Sequence, residues 1–194
     1  EFIYKRTYAR WLEDEKRREE WSETVDRFIS FLKLERKDSI PEKTYRKIEK
    51  YLLDFAVMPS MRFLWSAGKP ASKDNTVIYN CSFAKMNSID AFAECLHILM
   101  CGTGFGFSVE EGEVKKLPDI PEIKSGRDKP LSIIEDSREG WADSVRVLMD
   151  SLYRGQNLYF DYSHLRPEGA RLVTMGGRSS GPQPLIKLHD FIRE

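Results

Sequence analysis

The sequence predicts an α/β fold with parallel strand pairing, set behind a helical N-terminal region. Two observations carry this. Residues 1–58 show apolar positions at helical spacing, whereas later segments alternate between short β-branched or aromatic runs and helix-length amphipathic runs. Strands separated by helices are the pattern of parallel sheets covered by crossover helices. A chain of 194 residues is long enough to bury a sizeable core without disulfide staples.

The elements follow in order. Residues 4–35 read as one long helix: Trp21, Val25, Phe28, Ile29 and Leu32 fall on one face, and "EDEKRREE" supplies a solvated opposite side. A second helix follows "SIPEK", with Ser39 as N-cap, a stripe of Tyr45, Ile48, Tyr51, Leu52 and Phe55, and a stop at Pro59. "MRFLWSAGKPASKDN" is turn-rich, and "TVIYNCSFAKM" has the composition of a strand. "NSIDAFAECLHILMCGTG" reads as a helix capped by Asn87 or Ser88 and ended by Gly102 or Gly104. "FGFSV" follows as a short buried strand, and residues 111–130 as a surface excursion. Ser137 caps a further helix whose face is Trp141, Val145, Leu148 and Leu152 and which Gly155 closes. "LYFDYSHL" is a strand, "RPEGARLVTMGGRSSGPQPL" a polar glycine-rich loop, and "IKLHDFIRE" the start of a last helix.

Lys and Arg total 31 and so do Asp and Glu, so there is no basic excess to suggest nucleic acid or an anionic membrane as partner. The apolar runs are shorter than a membrane span and no secretory pattern opens the chain, which predicts a cytoplasmic protein. The three cysteines, at 81, 95 and 101, match no zinc spacing and would rest as thiols in a reducing compartment. A free cysteine on a strand or an apolar helix is by default a core residue, and this is the reading for all three. His97 reads as a satisfied core histidine, and neither His164 nor His189 has a ligand-spaced partner. "GTGFG" at 102–106 is neither a Walker loop nor a dinucleotide fingerprint; it is a tight turn or a place where a ligand approaches the backbone. "MGGRSSGPQP" at 175–184 offers Arg178, hydroxyls and main-chain NH groups, which suits either a phosphate nest or a mobile surface loop.

The segments "TYARWLEDEKRREEWSETVDRF", "MPSMRFLWSAG", "NCSF", "GTGFGFSVE", "DSREGWADSVRVLMDSL", "FDYSHLRPEGA" and "GGRSSGPQPL", in that order, span essentially the whole chain. Together they resemble the N-terminal part of an adenosylcobalamin-dependent (class II) ribonucleotide reductase, in its monomeric ribonucleoside-triphosphate reductase branch. The resemblance implies the first part of the ten-stranded α/β barrel of thiyl-radical enzymes, incomplete in this chain. It divides the chain into a helical region at 1–58 and barrel elements at 59–194, with an effector-binding insertion around 110–155. It also implies replacement of a ribose 2′-OH by hydrogen for deoxyribonucleotide synthesis.

By that resemblance Cys81 is one member of the redox-active pair, and Ser60, Asn80, Cys81 and Gly104 line the substrate nucleotide. Asp136, Ser137, Arg138 and Arg178 hold a deoxynucleoside triphosphate effector. A glycine at 104 would let backbone and ligand meet, so the turn and the ligand contact become one feature. The implied substrate is a ribonucleoside triphosphate and the implied reductant thioredoxin-like. The radical cysteine, the partner of Cys81 and most of the adenosylcobalamin site are expected in the remaining C-terminal part of the reductase, either a second polypeptide of a split enzyme or the rest of one longer chain, without which this chain is expected to be inactive. A nucleotide-binding regulatory or structural component that completes a partner chain's barrel is the alternative expectation.

Overall fold

The computed structural model describes residues 2–122, 128–172, 174 and 176–194. The chain forms two compact units, Glu1–Asn80 and Cys81–Glu194. The described strands make three two-stranded sheets. No helix among the described residues is long and apolar enough to cross a membrane.

The first unit is helical. Helix α1 (Phe2–Thr7) leads into a hairpin of β1 (Trp11–Leu12) and β2 (Arg17–Arg18), and only then does α2 (Trp21–Arg36) begin. The single helix expected over 4–35 is therefore broken, and the charges of "EDEKRREE" are the reason. Glu19 is not solvated: it is 3% exposed. Its carboxylate accepts hydrogen bonds from Arg27 at 2.7 and 2.9 Å, from Thr24 Oγ1 at 2.8 Å and from the Arg10 amide at 3.2 Å. Burial alone would push this carboxyl up, but the hydrogen bonds and charge of Arg27 outweigh it and hold it below the usual carboxylate range. Lys16 turns the hairpin at φ +51°, and a capping box between Glu20 and Glu23 restarts the helix at Trp21.

Arg10 and Arg27 spend their remaining donors on the carbonyls of Leu64, Trp65 and Ala67. These are the otherwise unpaired C-terminal carbonyls of α4 (Met61–Ser66), so one buried ion cluster fixes both the hairpin and a helix end. Helix α3 (Glu42–Leu53) precedes α4; it is capped at Pro41 rather than at Ser39, and buries Tyr45 and Leu52. It ends before Phe55, which takes φ +56° and is 65% exposed instead of completing the stripe. The stretch read as turns supplies α4 and α5 (Lys69–Lys73), and Asn75–Ile78 is a 3₁₀ turn, not strand.

The second unit is built from two β-α-β crossovers. Strand β3 (Cys81–Lys85), α6 (Ile89–Met100) and β4 (Gly104–Ser108) make the first, with β3 and β4 parallel. After a short helix α7 (Glu111–Val114), β5 (Asp128–Ile133), α8 (Arg138–Tyr153) and β6 (Asn157–Asp161) make the second, again parallel. Ser88 and Ser137 cap α6 and α8, each accepting from the amide three residues on. The two crossover helices pack on one another. Beneath α8, Ile134, Leu148, Leu158, Phe160, Leu165 and Leu185 form the core, closed by α9 (Gln183–Arg193).

Strand β5 lies at the end of the stretch expected to be a surface excursion. "FGFSV" is a strand but not a buried one: Phe107, on the α6 side, is still 60% exposed, and on the side that the helices leave open Phe83, Leu131 and Ile133 are 60–65% exposed.

His189 of α9 is fully buried. Ser144 Oγ donates to the Trp141 carbonyl at 2.7 Å, so it accepts from His189 Nε2 at 3.0 Å, while the Tyr162 hydroxyl donates to Nδ1 at 2.7 Å. This network needs the neutral imidazole. Burial, reinforced by the positive charge of Arg193, depresses the His189 pKa to about 4. The unfolded chain takes up the proton near pH 6.5, so the stability this group contributes is complete above that pH and is lost as pH falls toward 4. The expected loss attributable to His189 is on the order of 3 kcal/mol, read as the difference between the wild type and His189→Gln in denaturant titrations from pH 7 to pH 4.5.

Candidate functional site

The register of the first crossover places Cys81 directly opposite Gly104 and Phe83 opposite Gly106. Side chains alternate across a strand, so Cys81, Phe83 and Lys85 share the face that α6 leaves open, and exposure along β3 alternates accordingly. The neighbouring positions on β4 carry no side chains where Cys81 and Phe83 lie. A Cβ built at Gly106 would come within 3.5 Å of the Phe83 ring, so the ring rests over that glycine. The result is a strip of bare backbone with one thiol and one aromatic ring beside it.

Cys81 is exposed, which overturns the default of a core thiol for this residue. Cys95 is partly buried, and burial pushes its thiol pKa up, as suits an inert apolar position. Cys101 is buried but is more than filler: Arg138 Nη1 donates to its sulfur at 2.9 Å, and His97 Nε2 lies 3.7 Å away.

The turn between α6 and β4 explains the glycines. The amide of Gly102 bonds to the Leu99 carbonyl and that of Thr103 to the Ile98 carbonyl, the paired bonds of a Schellman end, with Gly102 at φ +77°. The left-handed position that demands glycine is thus Gly102. Gly104 already belongs to the strand, where its exposed backbone sits beside Cys81, and Ser82 Oγ donates to its carbonyl at 3.1 Å.

Ser60 and Asn80 belong to the first unit. Ser60 caps α4 by accepting from the Phe63 amide, and Asn80 is exposed and joined directly to Cys81. Of the substrate-facing residues expected from sequence, the structure pairs Cys81 with Gly104.

The four effector-side residues lie at two places. Asp136, Ser137 and Arg138 form the entry to α8, and each is engaged. Both Asp136 carboxylate oxygens accept from Arg166 Nε, at 2.7 and 3.0 Å, and Arg166 Nη2 also donates to the Asp136 carbonyl. Ser137 Oγ caps the helix and Arg138 reaches Cys101. Gly140 permits this tight entry, since a Cβ there would fall 2.4 Å from the Glu135 carbonyl oxygen. Arg178 lies on the glycine-rich segment, which is an organised hairpin: Arg171 bridges Arg178, and Arg178 Nη1 donates to the Gly169 carbonyl at 2.9 Å. Sequence reading missed Arg166, because its pairing with Asp136 spans 30 residues. It missed the weight of Gly140 for the same kind of reason, a clash with a carbonyl outside the helix.

Comparison with known proteins bears on this arrangement directly. Residues 1–69 match the ribonucleotide reductase alpha domain, and residues 106–193 match the insertion domain of B12-dependent ribonucleotide reductase. An adenosylcobalamin-dependent ribonucleoside-triphosphate reductase from Euglena gracilis is 29% identical, over 100% of this chain and 29% of its own length. One from Lactobacillus leichmannii is 27% identical, over 95% of this chain and 34% of its own length. A crystal structure of B12-dependent (class II) ribonucleotide reductase superposes with a TM-score of 0.85 at 25% identity, covering 100% of this chain and 36% of that one. The chain thus spans about a third of the length of these relatives. With two domain models matched and the α/β arrangement shared from end to end, the chain is similar along its whole length to the N-terminal part of the B12-dependent, class II ribonucleotide reductases.

Proposed function

We propose that this chain supplies the nucleotide-facing wall and one redox thiol of a reductase that converts ribonucleoside triphosphates to deoxyribonucleotides. The observation that carries the reading is the register of Cys81 against Gly104, with an exposed thiol over a strip of backbone that offers no side chain to block a ligand. A purely structural or regulatory wall has no use for a thiol at that position.

The chemistry asked of Cys81 balances simply. Two thiols give up two electrons and two protons and become a disulfide; the ribose C2′–OH bond is replaced by C2′–H, and the hydroxyl leaves as water. Cys81 is one of those thiols, and the other is supplied outside this segment. Asn80, next to Cys81, and Ser60, at the exposed N-cap of α4, contribute polar groups to the same nucleotide, a role that rests on the family resemblance.

Adenosylcobalamin, named for the relatives, generates the initiating radical when bound. A corrin is far larger than the cleft of about 350 Å³ between Tyr4, Trp21, Phe55, Met58 and Met61, so that cleft does not fit it. This chain's residues act on the nucleotide and on the exchange of electrons with a dithiol reductant of the thioredoxin type.

The entry to α8 is the proposed effector site, supported by the match of 106–193 to the insertion domain and by the positive end of a helix of 16 residues. Asp136 and Ser137 shape that entry, Arg138 begins the helix, and Arg178 is a cation of the hairpin. Arg166 joins them through Asp136. The side chains of that ion pair are each about a third exposed, so it is weakly held and open to rearrangement around a triphosphate.

Two outcomes are expected. In the reductase assembled with adenosylcobalamin and a dithiol, Cys81→Ser abolishes multiple turnover while leaving nucleotide binding and assembly intact; sustained turnover by the Ser variant would remove the redox role. Arg178→Ala weakens deoxynucleoside triphosphate binding about 10-fold or more, as loss of a charged hydrogen bond does, with the substrate KM near the wild-type value. Equal effector affinity in equilibrium titration would place the effector elsewhere.

A further inference from the structure

Arg138 is the first residue of α8, yet its guanidinium is directed at the far end of the preceding crossover, where Nη1 donates to Cys101 Sγ at 2.9 Å. Cys101 is fully buried and is the C-cap residue of α6. Immediately after it come Gly102 in the left-handed conformation, Thr103 at 2% exposure, and Gly104, whose backbone pairs with Cys81. The bond therefore ties the start of one crossover helix to the end of the other, three residues from the strand position beside the thiol.

A thiol sulfur is a weak acceptor, and a short guanidinium–sulfur contact in a partly buried site is worth more than the same contact in water. The Schellman bonds and the buried Thr103 hold the turn locally, and the Arg138 donor ties it to α8. The first two set the shape of the turn, whereas Arg138 sets where it lies relative to α8.

We propose that Arg138 is a positioning residue for the nucleotide wall: through Cys101 it fixes the turn from which Gly104 enters β4, and so fixes the gap between the Gly104 backbone and the Cys81 thiol. The proposal rests on the reading of Cys81 and Gly104 as nucleotide-facing. It gives Arg138 work that does not require direct contact with an effector, and it gives the buried thiol of Cys101 a purpose that packing alone does not.

The test is a double-mutant cycle in the assembled reductase with Arg138→Met, Cys101→Ala and the pair. Each single variant is expected to raise the ribonucleotide KM about 10-fold with a smaller change in kcat, and the pair is expected to be no worse than either single variant, the non-additivity of residues that act through one contact. Arg138→Lys, which keeps a donor, is expected to recover most of the loss. Cys101→Ser, which keeps an acceptor in a smaller side chain, serves if the alanine variant melts early. Additive penalties, or an unmoved KM in a folded Cys101→Ala or Cys101→Ser protein, would overturn the positioning role. That failure is distinct from failure of the redox reading, which shows only as sustained turnover in Cys81→Ser.

Discussion

Parallel pairing of β3 with β4 is the constraint on which the functional reading depends. Parallel neighbours cannot be joined by a hairpin, so the chain has to cross over through α6, and the length and ending of that helix decide which residue of β4 meets Cys81. The Schellman end at Gly102 stops the helix within one residue of its last turn, and two residues later the strand begins at Gly104. A one-residue slip would turn the alternation over and present Phe105, which lies against the covered side, where bare backbone now lies. The thiol, the glycine strip and the Phe83 ring are thus consequences of a single register.

The second crossover repeats the architecture with a different outcome. Here the entry to the helix, rather than its exit, carries the polar groups, and Gly140 lets the segment 135–137 fold back over the first turn. Its groups are paired internally, but not equally firmly. Ser137 caps the helix and Arg138 reaches a buried sulfur, whereas the Asp136–Arg166 pair is about a third exposed, where such pairs contribute little. An arriving polyanion would find that pair the easiest to rearrange.

Much of this was legible in the sequence, and the failures have physical causes. The caps at Ser88 and Ser137, the face of α8 and the parallel pairing follow from local composition and period. The break in the first helix did not, because it depends on Glu19 being drawn inside by Arg27 and by the Arg10 amide, interactions that helical periodicity treats as solvated charge. The exposure of Cys81 was also hidden: composition says that a cysteine on a strand is buried, and only the one-sided covering of the sheet makes it otherwise. The ordered family resemblance, by contrast, named both Cys81 and Gly104 as substrate-facing, and the structure makes them cross-strand neighbours. Arg166 and the Arg138–Cys101 contact join residues 30 and 37 apart, and no local pattern announces them.

The central claim is that Cys81 and Gly104 are direct cross-strand neighbours on an open face. Adjacent strands bring such residues within the separation that a disulfide spans. Replacing Gly104 with cysteine and oxidising the native protein gently tests this by peptide mapping. A disulfide between residues 81 and 104 is the predicted product, with little or none when the cysteine is placed at residue 106 instead. Preferential bridging from residue 106, or no bridge from either, would contradict the register and with it the wall on which the proposed chemistry stands.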